Sequence, residues 1–320
     1  MPRGAVSVII PCFNRENYIG DAIDSALRQG PDIEVVVIDD GSTDNSWSVI
    51  ASYGPRVKRE KQQNLGASAA RNRGIRLAKG RWIQFLDSDD QIPDGSTAAV
   101  TSAASKLGPL AIALSAIVYT DEVGELTKYV ETTPLAGPIS SELLLSAFIG
   151  TPQPLFPASA LRDVNYFDER FRNHEDHELV TRLLARGYSF VGTGLVSCEA
   201  RVHAGQRLSQ DRSGNRFRHR TDVLRTITRN ILEANLGSSA LSVHARLLWS
   251  VAREAAREGQ RNEAQELFQL ARQIAGSAAI NGRIPVRIAQ DLLSPYLVER
   301  VSEGLKSIAK RFGNADQKDC

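Results

Sequence analysis

Trp82-Ile-Gln-Phe-Leu-Asp-Ser-Asp-Asp90 runs a short apolar stretch straight into three carboxylates. Trp82 to Leu86 has the length and the β-branched or aromatic content of a fully buried strand. Asp87, Asp89 and Asp90 follow at once. Like charges packed this closely repel one another, and an apolar edge offers them no compensation. The pattern calls for a positive partner. Mg²⁺ or Mn²⁺ suits it, because these ions take oxygen ligands and bind through one or two carboxylates plus substrate phosphates. The competing reading is loop and N-cap chemistry ahead of Asp94-Gly95-Ser96.

Working outward, Val6-Ser-Val-Ile-Ile10 reads as a buried strand that stops at Pro11. Ile19, Ile23 and Leu27 lie at helical spacing, and Gly30-Pro31 ends that helix. Ile33 to Ile38 is a second strand. Gly41-Ser-Thr-Asp44 then supplies turn and N-cap residues for a helix running to about Tyr53. Val57 to Arg59 is a short third strand, Gly66 to Leu77 a helix, and Trp82 to Leu86 the fourth strand. Strands and helices alternating in this way predict βαβ units and a mainly parallel sheet covered on both faces. Ligands in such sheets bind beyond the carboxyl ends of the strands. Asp39-Asp40 and Asp87 to Asp90 both fall there. Further along, Thr97 to Leu107 reads as a helix, Ile112 to Val118 as a strand, and Leu143 to Phe148 as an apolar helix. After Ala200 the chain turns Arg-rich and then takes on helical periodicity.

The hydrophobic share of 42% and charged share of 24% are those of an ordinary globular protein. A net charge of +2 gives no whole-molecule case for nucleic acid as a partner. Between Arg201 and Arg229, however, stand eight Arg against two Asp. That run admits a solvated helix face, a flap over the donor diphosphate, or a contact with anionic lipid or a lipid-diphosphate acceptor; the flap or a phosphate contact is favoured here. Cys12, Cys198 and Cys320 show no metal or disulfide spacing, which suits a reducing cytosol. No signal-peptide apolar region precedes the first strand. The run Leu110 to Tyr119 is too short to span a bilayer. The expected location is cytoplasmic, with peripheral contact at the inner face of the membrane.

Several blocks of this sequence, in order, resemble the family 2 glycosyltransferases. They are Val8-Ile-Ile-Pro-Cys-Phe-Asn-Arg-Glu16, Val37-Ile-Asp-Asp-Gly-Ser-Thr-Asp44, Asn64-Leu-Gly66, Ala70-Arg-Asn72, Leu86-Asp-Ser-Asp-Asp90, Glu175-Asp176 and Arg201-Val-His203. The resemblance runs from about residue 4 to 210 and implies a GT-A fold, α/β and Rossmann-like, with a C-terminal α-helical extension. Residues 1–212 are then the catalytic domain and 213–320 the helical region.

The resemblance also implies roles. Pro11, Phe13, Glu16 and Asp40 fall where the family cradles the base and ribose of a nucleotide-sugar, with Arg71, Asp87 and Ser88 toward the base or diphosphate. Asp89 is the first candidate metal ligand, joined by Asp87 and His203, for a divalent Mn²⁺ or Mg²⁺. Such an ion can stabilise the departing diphosphate as a Lewis acid. The acceptor hydroxyl needs a base. The family's Glu-Asp pair makes Asp176 that base and Glu175 a supporting acid, in an inverting single displacement. Carboxylates in a first helical turn are also favoured by the helix dipole alone. The implied donor is a UDP-sugar before dTDP or GDP, and the acceptor a glycan or lipid-linked glycan. The Gln-x-x-Arg-Trp motif of processive synthases is missing, so transfer of one or a few sugars is expected. Two enzymatic alternatives stand beside this reading, a sugar-phosphate nucleotidyltransferase and an aspartyl phosphotransferase. A non-catalytic nucleotide-sugar-binding scaffold is the third.

Overall fold

The structure, a computed structural model, describes residues 5–121, 126–130, 136–146, 149–202 and 216–276. The chain divides into two compact units, Met1–Gln210 and Asp211–Cys320.

The first unit is built on one mixed sheet. Its parallel half comprises β1 (Val6–Cys12), β2 (Ile33–Asp39), β3 (Lys58–Lys61) and β4 (Trp82–Phe85), in the spatial order β3-β2-β1-β4. Helices α1 (Ile19–Leu27), α2 (Ser46–Ser52) and α3 (Ala67–Leu77) make the connections. Beyond β4 the sheet continues through β8 (Pro154–Pro157), β5 (Ala111–Thr120), β9 (Ser189–Arg201) and β7 (Gly137–Ile139), and β6 (Leu126–Val130) pairs with β5. Here β8 runs antiparallel to both β4 and β5, while β5 and β9 are parallel. Helices α4 (Ser96–Ala104), α5 (Ser141–Ser146), α6 (Ala158–Asp163) and α7 (Glu175–Ala185) lie between these strands in sequence.

Strand alternation explains why both faces are covered. Ile9, Val36, Ile38, Ile83 and Phe85 point into one core with Leu161, Leu179 and Leu183, whereas Val8, Ile10, Val35 and Val37 point into another with Ile19, Ile23 and Ile50. On the first face α3 comes very close to β1. A Cβ placed on Gly74 would stand 2.3 Å from Ile9 Cγ2, so only glycine fits that crossing.

Pro11 does not end β1 as the sequence suggested. The strand continues to Cys12, paired with Asp39. Ile9 offers its carbonyl to Leu86 on the β4 side and Cys12 offers its carbonyl to Asp40 on the β2 side. Pro11, of the same parity as Ile9, therefore places its missing N–H on the flank where the β4 ladder has ended.

The second unit, as far as Gly276, contains α8 (Arg216–Glu233), α9 (Gly237–Arg257) and α10 (Arg261–Ala275). Ile227, Ile231, Leu248, Trp249, Leu267 and Phe268 form its buried side, with Trp249 and Phe268 edge to face at 4.7 Å. Much of the Arg-rich run is spent inside this unit. Arg216 and Arg220 pair with Glu254, Arg216 also with Glu258, and Arg225 with Asp222 and Glu266. For these three arginines the helix-face reading is the one realised, in place of the flap or lipid contact. Arg207 and Arg212 lie outside the described residues. No described helix is long and apolar enough to cross a membrane.

Candidate active site

The carboxyl ends of β1, β2 and β4 share one edge of the parallel half, and the loops that leave them are stitched together. After β1, Asn14 adopts φ 52° and its side-chain oxygen accepts the Thr43 N–H at 2.9 Å, while its own N–H donates to Ser42 Oγ at 3.0 Å. Arg15 N–H donates to Ser46 Oγ at 2.8 Å, and the Glu16 carboxylate accepts the Asn45 N–H at 2.9 Å. Pro11 is half-buried in the strand and Phe13 is exposed beside it.

The two acids at the end of β2 are buried and divide the work. Asp39 accepts Ser42 N–H at 3.1 Å, and its other oxygen lies 3.2 Å from Lys61 Nζ, an ion pair without hydrogen-bond alignment. Asp40 organises the loop before α3, accepting from Gln62 Nε2 at 2.8 Å, Leu65 N–H at 2.9 Å and Gly66 N–H at 2.8 Å. Gly41 between the loops has φ 81°, and a Cβ there would stand 2.8 Å from Asn64 N, so the turn requires glycine.

The acids after β4 take three different directions. Asp90 turns inward: it accepts the Arg201 N–H at 3.0 Å and lies 3.7 Å from the Cys198 thiol. Gln91 and Glu199 exchange backbone hydrogen bonds next to it, so the acid loop is fastened to β9. Ser88 is buried, Asp87 is 41% exposed and Asp89 only 15%. Asp89 meets Arg15 Nε at 3.1 Å.

Arg71, on α3, joins this edge to α7. Its guanidinium donates to Asp87 at 3.1 Å and to Glu175 at 2.8 Å, and it lies over the Phe167 ring at 5.6 Å. Burial works against its charge, but Asp87, Glu175 and Asp176 together hold it more firmly protonated than usual. Asp176 is next to Glu175 in the first turn of α7, with its oxygen accepting the His177 N–H at 2.7 Å. Burial first, and the Glu175 carboxylate second, push Asp176 up to about 7, although the His177 N–H and Arg71 oppose the shift. Burial, with His174 nearby, lowers His177 to about 4, so its ring stays neutral at neutral pH and adds no cation beside Asp176. His174, which precedes the helix, holds φ 59°.

Thus Asp87, Glu175, Asp176 and Arg71 come together, with Asp89 and Ser88 on the same loop. His203 lies outside the described residues. Arg15 carried no role in the sequence reading, since a lone cation after a strand has no signature of its own. Nor did the tie from Asp90 to β9, a contact between residues far apart in sequence. Arg182, further along α7, grips buried Glu178 with two hydrogen bonds of 2.7 Å and donates to the Val164 carbonyl. Cys12 and Cys198 are buried thiols, raised by that burial, to about 12 for Cys12.

The donor set at the β4 end is carboxylate oxygen, which suits a hard divalent cation. Among the described residues no group of three His, Cys, Asp or Glu could hold an ion by itself. Asp87 and Asp89 would therefore leave coordination positions to a ligand or to water.

Residues 7–162 match the model of glycosyl transferase family 2. An uncharacterized glycosyltransferase of Rickettsia felis is 32% identical over 187 residues, covering 56% of this chain and 31% of that protein. A chondroitin synthase of Escherichia coli is 32% identical over 182 residues, covering 56% of this chain and 26% of its own length. The chain thus spans less than a third of the length of these relatives. Among solved structures, S. aureus TarS 1-349 in complex with UDP-GlcNAc superposes with a TM-score of 0.72 at 20% identity, covering 93% of this chain and 91% of that one. That likeness establishes the GT-A architecture. Residues 7–162, close to half of the chain, thus carry the match to glycosyl transferase family 2, in agreement with the glycosyltransferases among its relatives.

Proposed function

We propose that the protein is an inverting glycosyltransferase, moving a sugar from a nucleoside diphosphate, UDP before dTDP or GDP, to the hydroxyl of a glycan or lipid-linked glycan. The observation that carries the reading is the Asp87–Arg71–Glu175 chain, which draws the base candidate Asp176 to the acid loop at the strand ends. Residues 1–212 form the catalytic domain in this reading and 213–320 a helical region. The UDP-GlcNAc held by the similarly folded S. aureus TarS supports the choice of donor.

Pro11, Phe13, Glu16 and Asp40 line the nucleotide side, the last through the loop that it organises. Arg71, Asp87 and Ser88 face the diphosphate. Asp89 and Asp87 would hold a divalent Mn²⁺ or Mg²⁺, with His203 as a further ligand. That ion, when bound, supplies Lewis-acid stabilisation of the leaving diphosphate. Asp176, ionised, accepts the proton of the acceptor hydroxyl as the new bond from its oxygen to the anomeric carbon forms. The bond from that carbon to the diphosphate oxygen breaks in the same step, with inversion. A base near pH 7 is matched to this task, because it is substantially ionised yet still basic enough to take a proton. Glu175, held by Arg71, keeps the first turn of α7 in place. Such a donor puts the reaction in the cytoplasm, and a lipid-linked acceptor would bring it to the inner face of the membrane.

The test measures release of nucleoside diphosphate from a panel of UDP-, dTDP- and GDP-sugars with Mn²⁺, in wild type and Asp176→Asn. UDP-sugar turnover is expected in wild type, with a fall of about 1,000-fold in the variant while UDP still binds. Unchanged turnover in Asp176→Asn removes the base assignment, and no turnover of any donor overturns the reading.

A further inference from the structure

Arg15 reaches across the rim of the sheet to an acid that the proposed chemistry assigns to metal. It leaves the loop after β1, and its Nε meets Asp89 Oδ2 beyond the end of β4. The loop holds it in place: its N–H is bound by Ser46, and its Nη1 donates to the Asn14 carbonyl at 3.0 Å. Asn14 is in turn fixed by Ser42 and Thr43. With the side chains 20% and 15% exposed, solvent screens the pair only partly.

We propose that Arg15 is a positioning residue that occupies Asp89 in place of the divalent cation and so makes metal binding conditional on a nucleoside diphosphate. The proposal rests on the metal-assisted reading of Asp87 and Asp89. A divalent ion arriving alone must displace the guanidinium and then sit beside it, which Coulomb repulsion opposes. A diphosphate changes the balance, since guanidinium groups pair strongly with phosphate oxygens. Arg15 then releases Asp89 and neutralises the diphosphate instead. An ion pair with only a structural role predicts the opposite sign, because losing it would loosen the loop and weaken binding of the metal.

Mn²⁺ binding to the full chain, followed by electron paramagnetic resonance, separates the two. Arg15→Gln should bind Mn²⁺ alone about tenfold more tightly than wild type, because a nearby like charge is gone. Arg15→Lys should stay near wild type, and Arg15→Gln with Asp89→Asn should lose the gain. UDP should tighten protein-bound Mn²⁺ strongly in wild type, after correction for Mn²⁺·UDP in solution, and far less in Arg15→Gln. Should that variant melt below the assay temperature, Arg15→Met, which keeps the aliphatic stem, replaces it. Equal or weaker Mn²⁺ binding by the neutral variants, with UDP still recruiting Mn²⁺ to wild type, overturns the role of Arg15 and leaves the metal reading standing. No protein-bound Mn²⁺ in any variant, with or without UDP, overturns both.

Discussion

Burial and the Glu175 carboxylate raise Asp176 to about 7 from an ordinary 3.8, so the folded chain keeps a proton there that the unfolded chain has released. The sign follows: below pH 3.8 both states are protonated and nothing is lost, between there and 7 stability falls as pH rises, and above 7 the loss is complete. Asp176→Asn should accordingly be near neutral at pH 4 and stabilise the fold at pH 8 by up to about 4 kcal/mol, read as the difference between thermal melts at the two values. A destabilised variant at pH 8 would contradict the buried-carboxylate account. The same group sets the proposed reaction, whose rate should climb with pH to a plateau with a midpoint near 7. Asp40 is the contrasting case. Its three donors need a full carboxylate, so Asp40→Asn forces an amide N–H₂ against N–H groups and should cost about 2 to 4 kcal/mol in urea unfolding. A loss of UDP affinity without loss of stability would instead make Asp40 a reader of the base.

The crossing of α3 over β1 depends on one missing side chain. Gly74→Ala drives a methyl against Ile9 Cγ2, and either the helix lifts or the strand shifts. A cost of about 1 to 3 kcal/mol is expected in urea unfolding, of the size seen for overpacked cores; a neutral result would mean that the helix sits further from the sheet. Elements of this kind were legible in the sequence, because α1 carries a clean helical period and a stop signal, while β2 and β4 are short continuous apolar runs of strand length. The short strand after α2 lies at Lys58–Lys61, slightly beyond the Val57–Arg59 expected, since a charged edge strand has little periodicity to mark its ends. The strands β7 and β8 were not legible. Each is only a few residues long and carries proline, and their antiparallel pairing is decided by partners distant in the chain. The candidate acids were visible as clusters and as members of ordered blocks. The links that give them geometry, Arg71 to Glu175 and Arg15 to Asp89, span many residues and leave no local trace.

At the scale of the molecule, two compact units share one chain, and the proposed ligand concerns only the first. If they unfold independently, calorimetry should resolve two transitions, and UDP with Mn²⁺ should raise one of them. Saturation at a hundredfold excess over Kd corresponds to about 2.7 kcal/mol. Equal shifts of both transitions, or one shared transition, would show that the units are energetically joined. Raising salt should weaken the second unit slightly, because the ion pairs of Arg216, Arg220 and Arg225 with Glu254, Glu258 and Glu266 are partly exposed. The stitching among the loops after β1 and β2 has a consequence for redesign. Residues 14–16 and 42–46 satisfy one another's polar groups, so neither loop is a free-standing module. Exchanging one for a relative's version would orphan the other's donors, and a change of donor preference would have to transplant both together as a single inherited cassette.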